Sequence, residues 1–112
     1  MPEGNALNAL TGTWHATLAS PLGPISIVFE FAETDGRVHG TSTANAETVA
    51  LSNVTIKPGE GGTLRATWGA DVTRPVSVHL DFDVTVAGDT LTGSAKAGML
   101  MPNGAVTGTR HP

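Results

Sequence analysis

Between residues 76 and 86 the chain alternates without a break. Val76, Val78, Leu80, Phe82, Val84 and Val86 are apolar, and Ser77, His79, Asp81, Asp83 and Thr85 between them are polar. A period of two turns successive side chains to opposite faces, so this run is a strand with one buried and one solvated face. A helix would scatter the same apolar side chains around its circumference. Ile25, Ile27, Phe29 and Phe31 repeat the pattern against Ser26, Val28, Glu30 and Ala32, and Leu64, Ala66 and Trp68 repeat it against Thr63, Arg65 and Thr67. No segment of helical length carries a 3.6-residue period, and only residues 2–10 read as a short turn or helix.

Turn residues cut the chain at short intervals: Pro21 to Pro24, Asp35-Gly36, Pro58 to Gly62, Gly88-Asp89 and Pro102 to Gly104. Eight strands fit between them, near 11–19, 25–33, 37–44, 48–57, 63–70, 75–86, 90–97 and 105–111. Short, evenly spaced strands joined by hairpin links predict an all-β antiparallel meander. Closing it into an up-and-down eight-stranded barrel removes its exposed edges, and a two-sheet sandwich is the alternative. The 112 residues make one domain, an N-terminal arm over 1–10 and a barrel over 11–111.

A short form recurs in Leu10-Thr11-Gly12-Thr13, Val38-His39-Gly40-Thr41, Leu91-Thr92-Gly93-Ser94 and Val106-Thr107-Gly108-Thr109. Parity turns its Leu/Val and Gly inward, where glycine lets barrel strands coil or approach closely. Two places beyond such glycines stand Trp14 and Arg110, both of inward parity. First and last strands of a closed meander pair antiparallel, so these two should meet at one end as a structural plug, the guanidinium over the indole.

Gly12-Thr13-Trp14 near the start and Thr109-Arg110 at the end resemble the Gly-x-Trp and C-terminal Arg of the calycin superfamily, which includes the lipocalins. The nearer likeness is to small bacterial lipocalin-like β-barrel domains, with which Asp35-Gly36-Arg37-Val38-His39-Gly40-Thr41, Leu91-Thr92-Gly93-Ser94 and Thr107-Gly108-Thr109-Arg110 also agree. The resemblance spans most of the chain and implies the barrel fold. Such barrels host both binding and catalysis, so the fold does not choose between them.

Several function classes fall away on composition. Net charge is −4, so a basic footprint for nucleic acid is missing. No apolar run approaches the roughly 20 residues of a membrane helix, and no signal peptide is visible, which leads to the expectation of a cytoplasmic protein. Cysteine is absent, which removes disulfides, thiolate metal sites and cysteine nucleophiles. Neither a Gly-x-Ser-x-Gly elbow, a P-loop, a His-Glu-x-x-His pair nor a dinucleotide fingerprint occurs, and no cofactor is implied. His79-x-Asp81-x-Asp83 holds metal-ligating types, but side chains two apart on a strand lie about 7 Å apart and face solvent here, so no metal site is assigned. His15 and His39 are outward too, and His111 lies in the tail.

Tracing the meander puts the turns at 34–36, 58–62 and 87–89 at the plug end, and the connections at 20–24, 44–47, 70–75 and 98–104 at the other. The second set is longer and carries Leu22 and Met99-Leu100-Met101, which marks it as an open mouth. Leu22, Phe29, Trp68, Val78, Leu80, Met99 and Met101 are the candidate ligand-binding residues. Asp71, Arg74 and Glu47 at the rim are the catalytic candidates.

Three readings follow. The first is binding of a small apolar or amphipathic molecule in the mouth. The second is a barrel enzyme of isomerase, cyclase or hydratase type on a hydrophobic substrate. The third is a structural or interaction domain without a cavity. Parity turns no carboxylate or histidine inward, which favours binding over acid–base chemistry. Val28 and Ala32 on the outer face of a strong strand, with charge sparse for so small a domain, lead us to expect a homodimer.

Overall fold

The computed structural model describes residues 10–19, 23–44, 46–73, 77–97 and 104–111. Its strands are β1 (Gly12–Leu18), β2 (Ile25–Thr34), β3 (Arg37–Ala44), β4 (Glu47–Pro58), β5 (Leu64–Val72), β6 (Val78–Ala87), β7 (Thr90–Lys96) and β8 (Gly104–His111). A single 3₁₀ turn, Glu60–Gly62, joins β4 to β5. Every strand pairs antiparallel with its sequence neighbour, and β1 pairs with β8, closing an up-and-down barrel. The expected fold class is the one observed.

The links are as tight as the sequence demands. Asp35 and Gly36 both take positive φ (53° and 79°), the pattern of a type I′ hairpin between β2 and β3. Gly36 N–H also donates to the Glu33 carboxylate at 2.7 Å. Gly88 opens the β6–β7 turn at φ 62°. β4 departs from the regular ladder. Asn53 takes φ 52°, and the register against β5 slips between Ser52 and Thr55. This bulge reverses parity within the strand: Val49 and Leu51 face the barrel before it, Val54 and Ile56 after it.

Aromatic side chains fill the middle of the barrel. Phe29, Phe31, Trp68 and Phe82 are all at most 4% exposed and form one cluster. Phe29 and Phe31 meet the Trp68 ring edge-on at 5.1 and 5.0 Å, and Phe82 lies stacked on it at 5.6 Å. Such pairs add about 0.5–1.5 kcal/mol each beyond the area they bury. Leu64, Val84, Val86 and Leu91 extend this core toward the plug, and Val106 stands opposite Leu18 at the other end of β1.

Trp14 pairs with Arg110 across the closing β1–β8 seam, and the guanidinium carbon sits 4.4 Å from the indole centroid. Trp14 Nε1 donates to the Leu10 carbonyl at 2.8 Å. Arg110 donates to Thr11 O and to Asp89 Oδ1, the latter at 2.9 Å. Leu10, assigned to the arm on sequence, is fully buried and belongs to the core. Its carbonyl is the acceptor that the indole N–H needs at this depth, which ties Leu10 to the plug.

Candidate functional site

At the end opposite the plug, the inner face is apolar but incompletely covered. Register places Leu51, Ala70 and Leu80 in one row across β4, β5 and β6, with Val72 opposite Val78 above them. Val49 joins the wall from β4. Ala70 is buried at the base, whereas Val49, Leu51, Val72, Val78 and Leu80 are only half-buried. Ile25, on the facing side of the mouth, is half-buried as well. Inward apolar side chains packed on the aromatic cluster are shut from water, whereas those above it, like Val38, Val54 and Ile56 toward the plug end, are only half-buried.

The candidate ligand residues distribute along this gradient. Val78 and Leu80 lie in the half-covered wall. Phe29 and Trp68 lie beneath it, 0% and 2% exposed. Trp68 Nε1 is buried and has no hydrogen-bond partner, an unmet donor in an apolar interior. Leu22, Met99 and Met101 fall outside the described residues, as does Arg74.

The other two rim candidates are committed to contacts of their own. Strand β5 runs to Val72, two residues past its expected end, so Asp71 sits on the strand's outer face and not in a mouth loop. It stands opposite His79 in register. Glu47 begins β4 and does not belong to the preceding connection. Its carboxylate accepts from the Thr73 backbone N–H at 2.9 Å and from the Thr73 hydroxyl at 2.5 Å, tying the start of β4 to the end of β5.

On the outer surface Asp71, His79 and Asp81 form a short chain. His79 Nδ1 lies 2.6 Å from Asp71 Oδ1, and Nε2 lies 2.9 Å from Asp81 Oδ1. Hydrogen bonding to Asp71 first, and to Asp81 second, raises the His79 pKa above its ordinary value. With both ring nitrogens donating to carboxylates, the imidazolium form is the one that satisfies the set, and neither nitrogen is left to act as a base. Gly69 makes the room: a Cβ there would come within 2.9 Å of both His79 Cε1 and Ser52 Oγ. A groove of about 330 Å³ runs beside this chain, lined among others by Asn53, Thr67, Asp83 and Lys96. Arg65 closes on Asp83 through two parallel bonds at 2.9 and 2.5 Å, which lowers the Asp83 pKa. Among the described residues no three histidine or carboxylate side chains form a set that could hold a metal ion.

Among the described residues Ser42 is the one polar side chain that is buried, at 5% exposed, so the described interior holds no ionisable group. No helix among the described residues is long and apolar enough to cross a membrane. Comparison with protein-family models, with curated proteins and with solved structures returned no match.

Proposed function

We propose that the protein binds a small apolar or amphipathic molecule at the open end of the barrel, in the manner of the lipocalin-like domains its termini resemble. One observation carries this reading: the inward wall of Val49, Leu51, Val72, Val78 and Leu80 is apolar, contiguous and only half-buried, above the shut aromatic cluster. Covering such a wall gains roughly 25 cal/mol per Å² of apolar surface removed from water. The unpartnered Trp68 N–H beneath it suits a ligand that carries a hydrogen-bond acceptor. The described interior supplies no acid or base, which supports binding rather than turnover.

The test uses a protein in which Trp14→Phe leaves Trp68 as the only indole. Anilinonaphthalene sulfonate, an apolar fluorophore with an anionic group, should quench Trp68 by energy transfer when it enters the mouth. Leu80→Gln withdraws about 1.4 kcal/mol of apolar contact, so its affinity for the probe should fall roughly tenfold while the far-ultraviolet circular dichroism is unchanged. Equal affinity in the two proteins, or no binding in either, would refute the site.

A further inference from the structure

The barrel closes in strand order, yet one of its seams is joined over only part of its length. Pairing between β3 and β4 is confined to four residue pairs, from Ala44↔Glu47 to Thr41↔Ala50. No register pair joins residues 37–40 of β3 to residues 51–58 of β4. Each strand is satisfied on its other side, residues 37–40 by β2 and most of 51–58 by β5. The Asn53 bulge lies three residues beyond Ala50, the last residue of β4 paired with β3, and a bulge bends the strand that carries it. Gly40, where a Cβ would meet the Glu30 carbonyl oxygen at 2.5 Å and the Phe31 ring at 2.8 Å, holds β3 close against β2.

The split has a defined chemistry. Val38, Val54 and Ile56 beside it are apolar and only half-buried. Arg37 and Lys57, one on each side, are exposed and make no ion pair among the described residues. The other described Lys and Arg side chains are differently placed: Arg65 binds Asp83, Arg110 binds Asp89, and Lys96 stands opposite Asp81 in register. In a chain of net charge −4, Arg37 and Lys57 put two cations that make no ion pair among the described residues on either side of one apolar gap, with Glu33, Asp35 and Glu60 confined to the hairpin ends beyond it.

We propose that this seam docks an extended peptide with alternating apolar and acidic side chains, which adds as a strand to the free edge of β4 over Asn53 to Lys57. A peptide is the occupant that open backbone edges recognise, because main-chain hydrogen bonds supply affinity while alternate side chains supply specificity. Its inward side chains cover Val38, Val54 and Ile56, and its outward carboxylates meet Arg37 and Lys57. The same cations hold off neutral or basic strands, as charged residues on open edges do. This site lies toward the plug end, away from the mouth, and stands or falls separately from the ligand reading above.

The experiment combines hydrogen exchange with fluorescence anisotropy on the full chain. In the free protein the amides of residues 53–57 that point into the seam should exchange far faster than those of residues 64–70, which pair on both sides. A labelled peptide of alternating valine and glutamate should bind and slow exchange at 53–57. The lysine-for-glutamate peptide should bind at least about tenfold more weakly, and the double variant R37E/K57E should reverse that preference. Both substitutions are on exposed side chains, and unchanged circular dichroism verifies the fold. Four results would each overturn the proposal. They are slow exchange across 53–57 in the free protein, equal affinity for the acidic and basic peptides, and binding of laurate but not the acidic peptide. The fourth is concentration-dependent protection showing that a second copy of the chain fills the seam.

Discussion

Trp14→Ala should remove a large share of this protein's stability. The indole is 0% exposed, its Nε1 donates to Leu10 O at 2.8 Å, and Arg110 covers one face at 4.4 Å. A tryptophan buries about 200 Å², which at 25 cal/mol per Å² corresponds to about 5 kcal/mol of transfer free energy. Alanine keeps a fraction of that, the Leu10 carbonyl loses its donor, and the site cannot fully collapse between strands pinned on both sides. Truncations of this kind cost about 3–5 kcal/mol, against a total of about 5–15 for a domain. The assay is urea unfolding followed by circular dichroism, with Trp68 emission as a second probe of the same transition. The midpoint should fall with little change in slope, and the melting temperature should drop by at least about 12 °C. Trp14→Phe keeps most of the volume and should cost much less. In a double-mutant cycle with Arg110→Ala, the coupling should be about 0.5–2 kcal/mol, the range of a cation over an aromatic face. A loss below about 1 kcal/mol for Trp14→Ala would mean that the plug is decorative and that the barrel is held by the Phe29–Trp68–Phe82 cluster alone.

Other outcomes follow from single contacts. The His79 pKa is raised, so the stability of its bonds to Asp71 and Asp81 is fully present below the ordinary histidine value and is lost as pH rises through the folded one. NMR titration should find His79 titrating above the ordinary histidine value, and Asp71→Asn should bring it down, since Asp71 is the largest cause. Gly93→Ala would drive its Cβ into the Asp83 carbonyl and to 2.6 Å from Val84 Cα, so thermal unfolding should show a loss of about 1–3 kcal/mol from overpacking. Gly88→Ala meets no atom but must hold φ 62°, and should cost about 1 kcal/mol. Val28 and Ala32 lie on the outer face of β2, the one half-buried and the other exposed; we propose that they pair two copies of the chain, so sedimentation at micromolar concentration should give a dimer mass that Ala32→Glu returns to a monomer's, and a monomer before substitution would refute it.

Much of the architecture is written in local pattern. The row ending at Val86 names its own buried face, because period two leaves one side of a strand apolar and the other polar whatever surrounds it. Asp35-Gly36 names its own turn, because two successive positive φ values select those residues. Trp14 and Arg110 were predicted to meet by counting strand directions around a closed meander, and the register pairs them. The sequence misplaces Asp71 because strand length is not local: β5 continues to Val72 only because β6 continues opposite it to Val78. The pairing of Asp71 with His79 was hidden for the same reason, since a cross-strand contact depends on register. The inner face of β4 was illegible because its apolar residues, Val49, Leu51, Val54 and Ile56, keep no single period.

What the sequence alone determined is which side chains of each regular strand share a face, and hence an all-β antiparallel meander in which closure would bring Trp14 and Arg110 together; the closure itself is seen in the β1–β8 pairing. What only the tertiary structure decided is how much of that face is covered, and by what. Burial at a given position is a property of the neighbours across the sheet and across the barrel. Leu80 and Phe82 have the same parity on one strand, yet Phe82 is shut under the aromatic cluster and Leu80 stands half-open above it. The split between β3 and β4 is likewise a matter of register: pairing with β3 ends at Ala50, and one extra residue at Asn53 follows it in β4.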